Sequence, residues 1–164
     1  MVKRKLLSWL IIAVIFAVSP SHASDEFSLK ATFLYRFAQF THWPPPPRGE
    51  LRFCVLHHQQ LLTALQALPI NIDAKAIDDV KALENCDVLM LGLSERSALQ
   101  KWQRQLAGRQ LLIVTDNAEA YRQLGMIQLL TSPDGVSFQI NLQRASAHQL
   151  KLGSQLLKLA QQVD

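Results

Sequence analysis

The chain has 164 residues, 49% of them hydrophobic and 18% charged, with a formal net charge of +4. That size and apolar content suit one domain with a real core and exclude a disordered or fibrous chain. The basic excess says little about partners, because three of the 17 basic residues, Lys3, Arg4 and Lys5, open the chain. They precede a mostly apolar run from Leu6 to Val18 and a small-x-small site at Ser21-His22-Ala23, the grammar of a cleavable secretory signal over residues 1–23. The run is shorter than the roughly 20 residues needed to span a bilayer. The remainder, 24–164, carries 14 basic against 13 acidic residues, so the electrostatic footprint of a nucleic-acid binder is gone and no nucleic-acid partner is expected.

Asp25 to Trp43 reads as a helix. Phe33, Phe37 and Phe40 share a face, Asp25 and Glu26 suit the positive end of its dipole, and Pro44 ends it. Pro44 to Pro47 then form a stiff connector. Leu51 to Leu56 is a short apolar strand, Gln59 to Leu68 a short helix, and Ile70 to Ile77 room for one edge strand. Val88 to Leu91 and Leu111 to Thr115 are further apolar runs, separated by a helix that Ser94 caps, that buries Leu99, Trp102 and Leu106, and that Gly108 closes. Asp116 or Asn117 starts a short helix through Leu124. Continuous rather than alternating hydrophobicity in the three strands argues for a parallel sheet covered on both faces.

Met126 to Leu130 and Val136 to Ile140 flank the turn Ser132-Pro133-Asp134-Gly135 and predict a hairpin. Asn141 to Gln162 predicts one long helix, with Leu142, Ala145, Leu152, Leu156, Leu159 and Val163 on its apolar side. Arg144, His148, Lys151, Gln155, Lys158 and Gln162 would form a solvated stripe opposite, and Gly153 would permit a close backbone contact. The expected fold is a three-layer α/β domain with a mixed, mostly parallel sheet, a C-terminal hairpin and a long C-terminal helix.

Chemistry is sparse. No P-loop, dinucleotide fingerprint, nucleophile elbow or zinc-protease motif occurs. His57 and His58 follow a strand end, where α/β folds place ligands, but adjacent histidines point apart and no acidic partner stands nearby in sequence. They read as an exposed loop pair. Asp78 and Asp79 read as capping or solvating groups, and Asp116-Asn117 as a cap. Cys54 and Cys86 lie in strands, outside any C-x-x-C or Cys/His cluster, and an exported chain lets them pair as a structural disulfide. The residues therefore predict no catalytic residue, no metal site and no cofactor.

Several segments together resemble the YfiR-like family. They are Lys30-Ala31-Thr32-Phe33-Leu34-Tyr35-Arg36-Phe37-Ala38-Gln39-Phe40-Thr41-His42-Trp43-Pro44, the cysteine strands Leu51 to Leu56 and Cys86 to Leu89, and Leu111 to Asp116. Gly125-Met126-Ile127, Val136 to Leu142 and Leu152 to Ala160 complete the match. Leu124-Gly125 stands where the family often has a double glycine, and Gln149-Leu150 where it often has Gly-Leu. The resemblance implies a periplasmic, non-enzymatic protein, dimeric, that represses an inner-membrane diguanylate cyclase and so acts in cyclic-di-GMP signalling. It also implies an outer-membrane, peptidoglycan-associated lipoprotein as antagonist. A carrier or sensor of a small periplasmic ligand is the alternative. The expected partner surface is the end of the first helix, at Phe40, His42, Trp43 and Pro44. Tryptophan is a frequent hot spot, and rigid prolines lose little entropy on binding. Arg144, Lys151 and Lys158 form a second, basic candidate facing the membrane side.

Overall fold

The computed structural model describes residues 21–164, with side chains from Asp25 onward. The expected secretory signal lies almost entirely outside them. Within them no helix is long and apolar enough to cross a membrane.

The first helix, α1 (Ser21–Gln39), is followed by a two-residue strand, β1 (Thr41–His42), and the proline connector. Then come β2 (Arg52–Leu56), α2 (Gln59–Gln66), β3 (Asp73–Ala76), a 3-10 turn at Lys81–Asn85, β4 (Val88–Leu91), α3 (Arg96–Leu106), β5 (Leu112–Thr115) and α4 (Ala118–Gln123). The hairpin β6 (Ile127–Ser132) and β7 (Gly135–Ile140) leads into α5 (Leu142–Ala147), β8 (Lys151–Leu152), α6 (Ser154–Leu159) and β9 (Gln162–Val163). Seven strands form one sheet in the order β3-β2-β4-β5-β6-β7-β9, parallel throughout except for the β6–β7 pair. Every residue of β4 and β5 is buried, as their unbroken hydrophobicity demands of central strands covered on both faces. On one face α1 packs on α2 and on β7, where Phe33 and Phe37 meet Phe138 at ring separations of 5.7 and 4.8 Å. On the other α3 packs on α4. The three-layer, mostly parallel architecture is the expected one.

Local expectations fare unevenly. The edge strand, the hairpin and the positive-φ glycine after α3 (Gly108, φ 72) are where the residues put them. Asp79 accepts from the Ala82 backbone N–H at 3.1 Å, a capping role as expected. Ser94 does not cap α3; Glu95 holds that position, its carboxylate accepting from the Ser97 hydroxyl and not from a backbone N–H of the helix. Asn117, not Asp116, caps α4 by accepting from the Ala120 N–H at 3.0 Å. The first helix stops four residues short of Trp43. The Thr41 hydroxyl donates to the Phe37 carbonyl at 2.7 Å, and β1 leaves to pair with β8.

The long C-terminal helix does not exist. α5 ends at Ala147, Gln149 turns the chain at φ 61, and Leu150-Lys151-Leu152 runs extended, buried-exposed-buried. The apolar stripe concealed this, because Leu152 and Leu156 keep helical spacing while belonging to different elements. Gly153 does make a close approach, but to a strand partner: its N–H donates to the Phe40 carbonyl at 2.7 Å, and a Cβ there would lie 3.1 Å from that oxygen.

Cys54 and Cys86 are bridged, with Cα atoms 5.7 Å apart, joining β2 to the start of β4. The bridge closes a loop of sequence separation 32, which the chain-entropy account values at about 3 to 4 kcal/mol. Cys54→Ala should lower the unfolding free energy by about 3 kcal/mol in chemical denaturation; an unchanged midpoint would remove the bridge from the structural account.

Candidate functional site: a tryptophan cleft and a filled strand crevice

In a sheet of this order the chain leaves β2 toward one edge and β4 toward the other, so the ligand crevice of an α/β fold belongs beyond the carboxyl ends of those two strands. Here it is filled. The Gly92 N–H donates to the Leu56 carbonyl at 2.8 Å, and a Cβ on Gly92 would sit 2.5 Å from the His57 carbonyl oxygen. His57 is exposed at φ 56, but His58 is not the solvent-facing residue expected. Its Nε2 lies 3.0 Å from Asp116 Oδ2, and Phe27 of α1 meets its ring edge to face at 5.7 Å. Lys30 reaches down from α1 to the same Asp116 oxygen at 2.9 Å and to Glu26 at 2.7 Å, while Glu26 accepts from Thr131. The remaining cavity beside His57 and His58 is about 110 Å³, below the few hundred Å³ of ordinary ligand sites.

Asp116 thus clamps α1 across the sheet instead of capping a helix. Burial opposes its ionisation, but the hydrogen bonds from His58 and Lys30 win and hold the carboxyl at about 2, against an ordinary 3.8. Because the folded value is the lower one, the stabilisation is complete above about pH 4 and disappears as pH falls through 2. The difference amounts to about 2 kcal/mol. Asp116→Asn should lose that amount near neutrality and flatten the stability profile between pH 4 and 2; a variant profile as steep as the parent's would contradict the clamp.

At the opposite ends of the strands a second carboxylate is buried. Asp87, with a side chain 2% exposed, accepts from the Arg52 backbone N–H at 2.9 Å, from Arg52 Nε at 3.0 Å and from Arg48. Burial pushes its pKa up, but Arg52, with side-chain and backbone hydrogen bonds, and Arg48 outweigh that and bring it below the usual carboxylate range. Arg48 continues the chain of contacts. It donates to Gln110, lies 5.6 Å from the centre of the Trp43 ring, and fastens the proline connector to the sheet. Asp87 was not singled out from the sequence, although one acid within Cys-Asp-Val-Leu-Met-Leu is the signal that a cation must meet it. Asp87→Ala should cost roughly 3 kcal/mol, the low end for breaking a buried pair, since both arginines can reach water. Denaturation midpoints measure it, and a neutral result would mean the arginines hold the connector without the carboxylate.

Beside this anchor lies a cleft of about 560 Å³, mostly apolar and lined by His42, Trp43, Pro44, Pro45, Gln149 and Lys151. The pairing of β1 with β8 builds one wall. His42 stands opposite Lys151 on the exposed side while Thr41 and Leu152 are buried on the other. Trp43 is half-buried and packs on the core, with its indole Nε1 buried and without an acceptor. Phe40 is likewise half-buried against the core and does not line the cleft. The expected surface residues His42, Trp43 and Pro44 therefore do come together.

The expected basic stripe does not. Arg144 is partly buried on α5, where it donates to the carbonyls of Tyr121 at 2.7 Å and Arg122 at 3.0 Å and to that of Gly125, satisfying the end of α4. Burial lowers its pKa. Lys151 joins the cleft instead, and Lys158 is exposed on α6. With the helix broken at Gln149, nothing keeps the three in line.

Among the described residues no three His, Cys, Asp or Glu side chains converge as metal ligands would. No curated protein matches the chain. Its sequence does match the YfiR/HmsC-like family over residues 27–161, from Phe27 of the α1 clamp to Gln161, just before the last edge strand. That family is periplasmic, regulatory rather than catalytic, and its function points to the control of diguanylate cyclase signalling. A match over most of the chain settles the affiliation: the protein belongs to the YfiR/HmsC-like family.

Proposed function

We propose that the protein represses an inner-membrane diguanylate cyclase by binding the cyclase's periplasmic part through the Trp43 cleft. The observation that carries this reading is the anchoring of Trp43. Its ring sits in an open cleft on a proline-stiffened connector that Arg48 ties to a buried carboxylate. Such a surface is already ordered before binding, so association loses little conformational entropy, and tryptophan is the residue type that most often dominates an interface. A carrier of small ligands would instead use an enclosed pocket, and the crevice where this fold would put one is occupied by Phe27, Lys30, His58 and Asp116.

Repression follows from linkage. A protein that binds only the inactive state of a receptor shifts the receptor's equilibrium by its differential affinity, and a competitor for the same cleft reverses the shift. An outer-membrane, peptidoglycan-associated lipoprotein is the competitor we propose, and a homodimer is the form we propose for the repressor. Trp43→Ala should weaken the cyclase complex about thirtyfold, the equivalent of a 2 kcal/mol hot spot. Being half-buried, the residue should give up no more than about 2 kcal/mol of stability. Cellular cyclic-di-GMP and the melting temperature, read together, provide the test. A folded variant that still represses normally would sink the assignment.

A further inference from the structure

The Trp43 cleft has a charged neighbour. Gln149 forms part of its wall and accepts from Gln110 Nε2 at 3.0 Å; Gln110 in turn receives Arg48 at 3.2 and 3.4 Å. Beyond that wall a second cleft, about 280 Å³, is lined by Arg48, Arg52 and Arg109, with Glu84 as its one acidic residue. Arg52 and Arg48 are engaged with Asp87. Arg109 uses its Nε on the Gln105 carbonyl, and neither it nor Lys151 enters any ion pair among the described residues. Two neighbouring N–H donors, Trp43 Nε1 and Arg48 Nε, are buried without an acceptor. Buried donors left unsatisfied are costly; Trp43 lines the first cleft together with Lys151, and Arg48 the second together with Arg109. The first cleft is mostly apolar with Lys151 in its wall, and the second is cationic.

We infer that the paired clefts take an acidic, amphipathic segment of the protein partner, with apolar side chains against Trp43 and Pro44 and carboxylates on Lys151 and Arg109. A small inorganic anion would use only the arginine half and leave the tryptophan half empty, whereas a segment carrying both kinds of side chain matches both. The inference rests on the assignment of the Trp43 cleft as the partner surface and adds the chemistry of what enters it.

The probe is a labelled peptide of alternating Glu and Leu, titrated into the purified protein, with a Lys-Leu peptide as control. The acidic peptide should bind, and more weakly as salt is raised. Lys151→Glu and Arg109→Glu should each weaken it about tenfold, as loss of an interfacial charge contact does, and Trp43→Ala should weaken it too. Lys158→Glu, on an exposed face outside both clefts, should change nothing. Equal binding of the two peptides, no binding of the acidic one, or indifference to both charge reversals overturns the inference. So does displacement by inorganic phosphate combined with indifference to Trp43→Ala, the signature of a small-anion pocket. The two layers separate in the cyclase assay. If Trp43→Ala abolishes repression while the charge reversals leave it intact, the surface stands and the acidic segment falls. If Trp43→Ala represses normally, both fall.

Discussion

A carboxylate buried at the foot of the central strands organises the half of this molecule that carries the Trp43 cleft. Asp87 cannot be left charged in the core without partners, so Arg52 from β2 and Arg48 from the connector must converge on it. Arg48 in turn lies against the Trp43 ring and reaches Gln110, and Gln110 holds Gln149. A segment with four successive prolines, which has few backbone donors of its own, is thereby located by side-chain electrostatics. The disulfide adds a covalent tie at the same end of the sheet, from β2 to the residue immediately before Asp87.

The other end of the sheet is governed by a second charged cluster with the opposite consequence. Asp116, His58, Lys30 and Glu26 draw the beginning of α1 over the strand ends and fill the position where this fold class usually receives a ligand. The open cleft lies instead at the end of α1, where β1 pairs with β8. The two clusters divide the labour: one closes a cavity, and the other holds a cleft open. That division agrees with a regulatory family, in which function consists of a differential affinity rather than a reaction.

Where sequence reasoning failed, long-range pairing was responsible. Thr41 and His42 carry no strand signal of two residues' length, and they become a strand only because Lys151 and Leu152 lie alongside. The same pairing breaks what periodicity presents as one C-terminal helix: Leu152, Leu156 and Leu159 keep helical spacing, but the Gly153 N–H is taken by the Phe40 carbonyl. Arg144 and Lys151 accordingly part company. Arg144 goes to carbonyls at the end of α4 and Lys151 to the cleft. His58 was misjudged for a related reason, since its acidic partner stands 58 residues away.

The amino-acid sequence by itself determined the layer architecture, the three buried parallel strands, the hairpin, the bridged cysteines and the family, because each depends on local composition, periodicity or colinear motifs. The proline run also marked a break in the chain after Trp43, but the helix ends earlier, at Gln39, where β1 leaves to pair with β8. Only the tertiary structure decided which charges are buried together and which stay exposed. A carboxylate's partner is chosen by distance in space, and in Asp87 and Asp116 those partners lie tens of residues away on other elements.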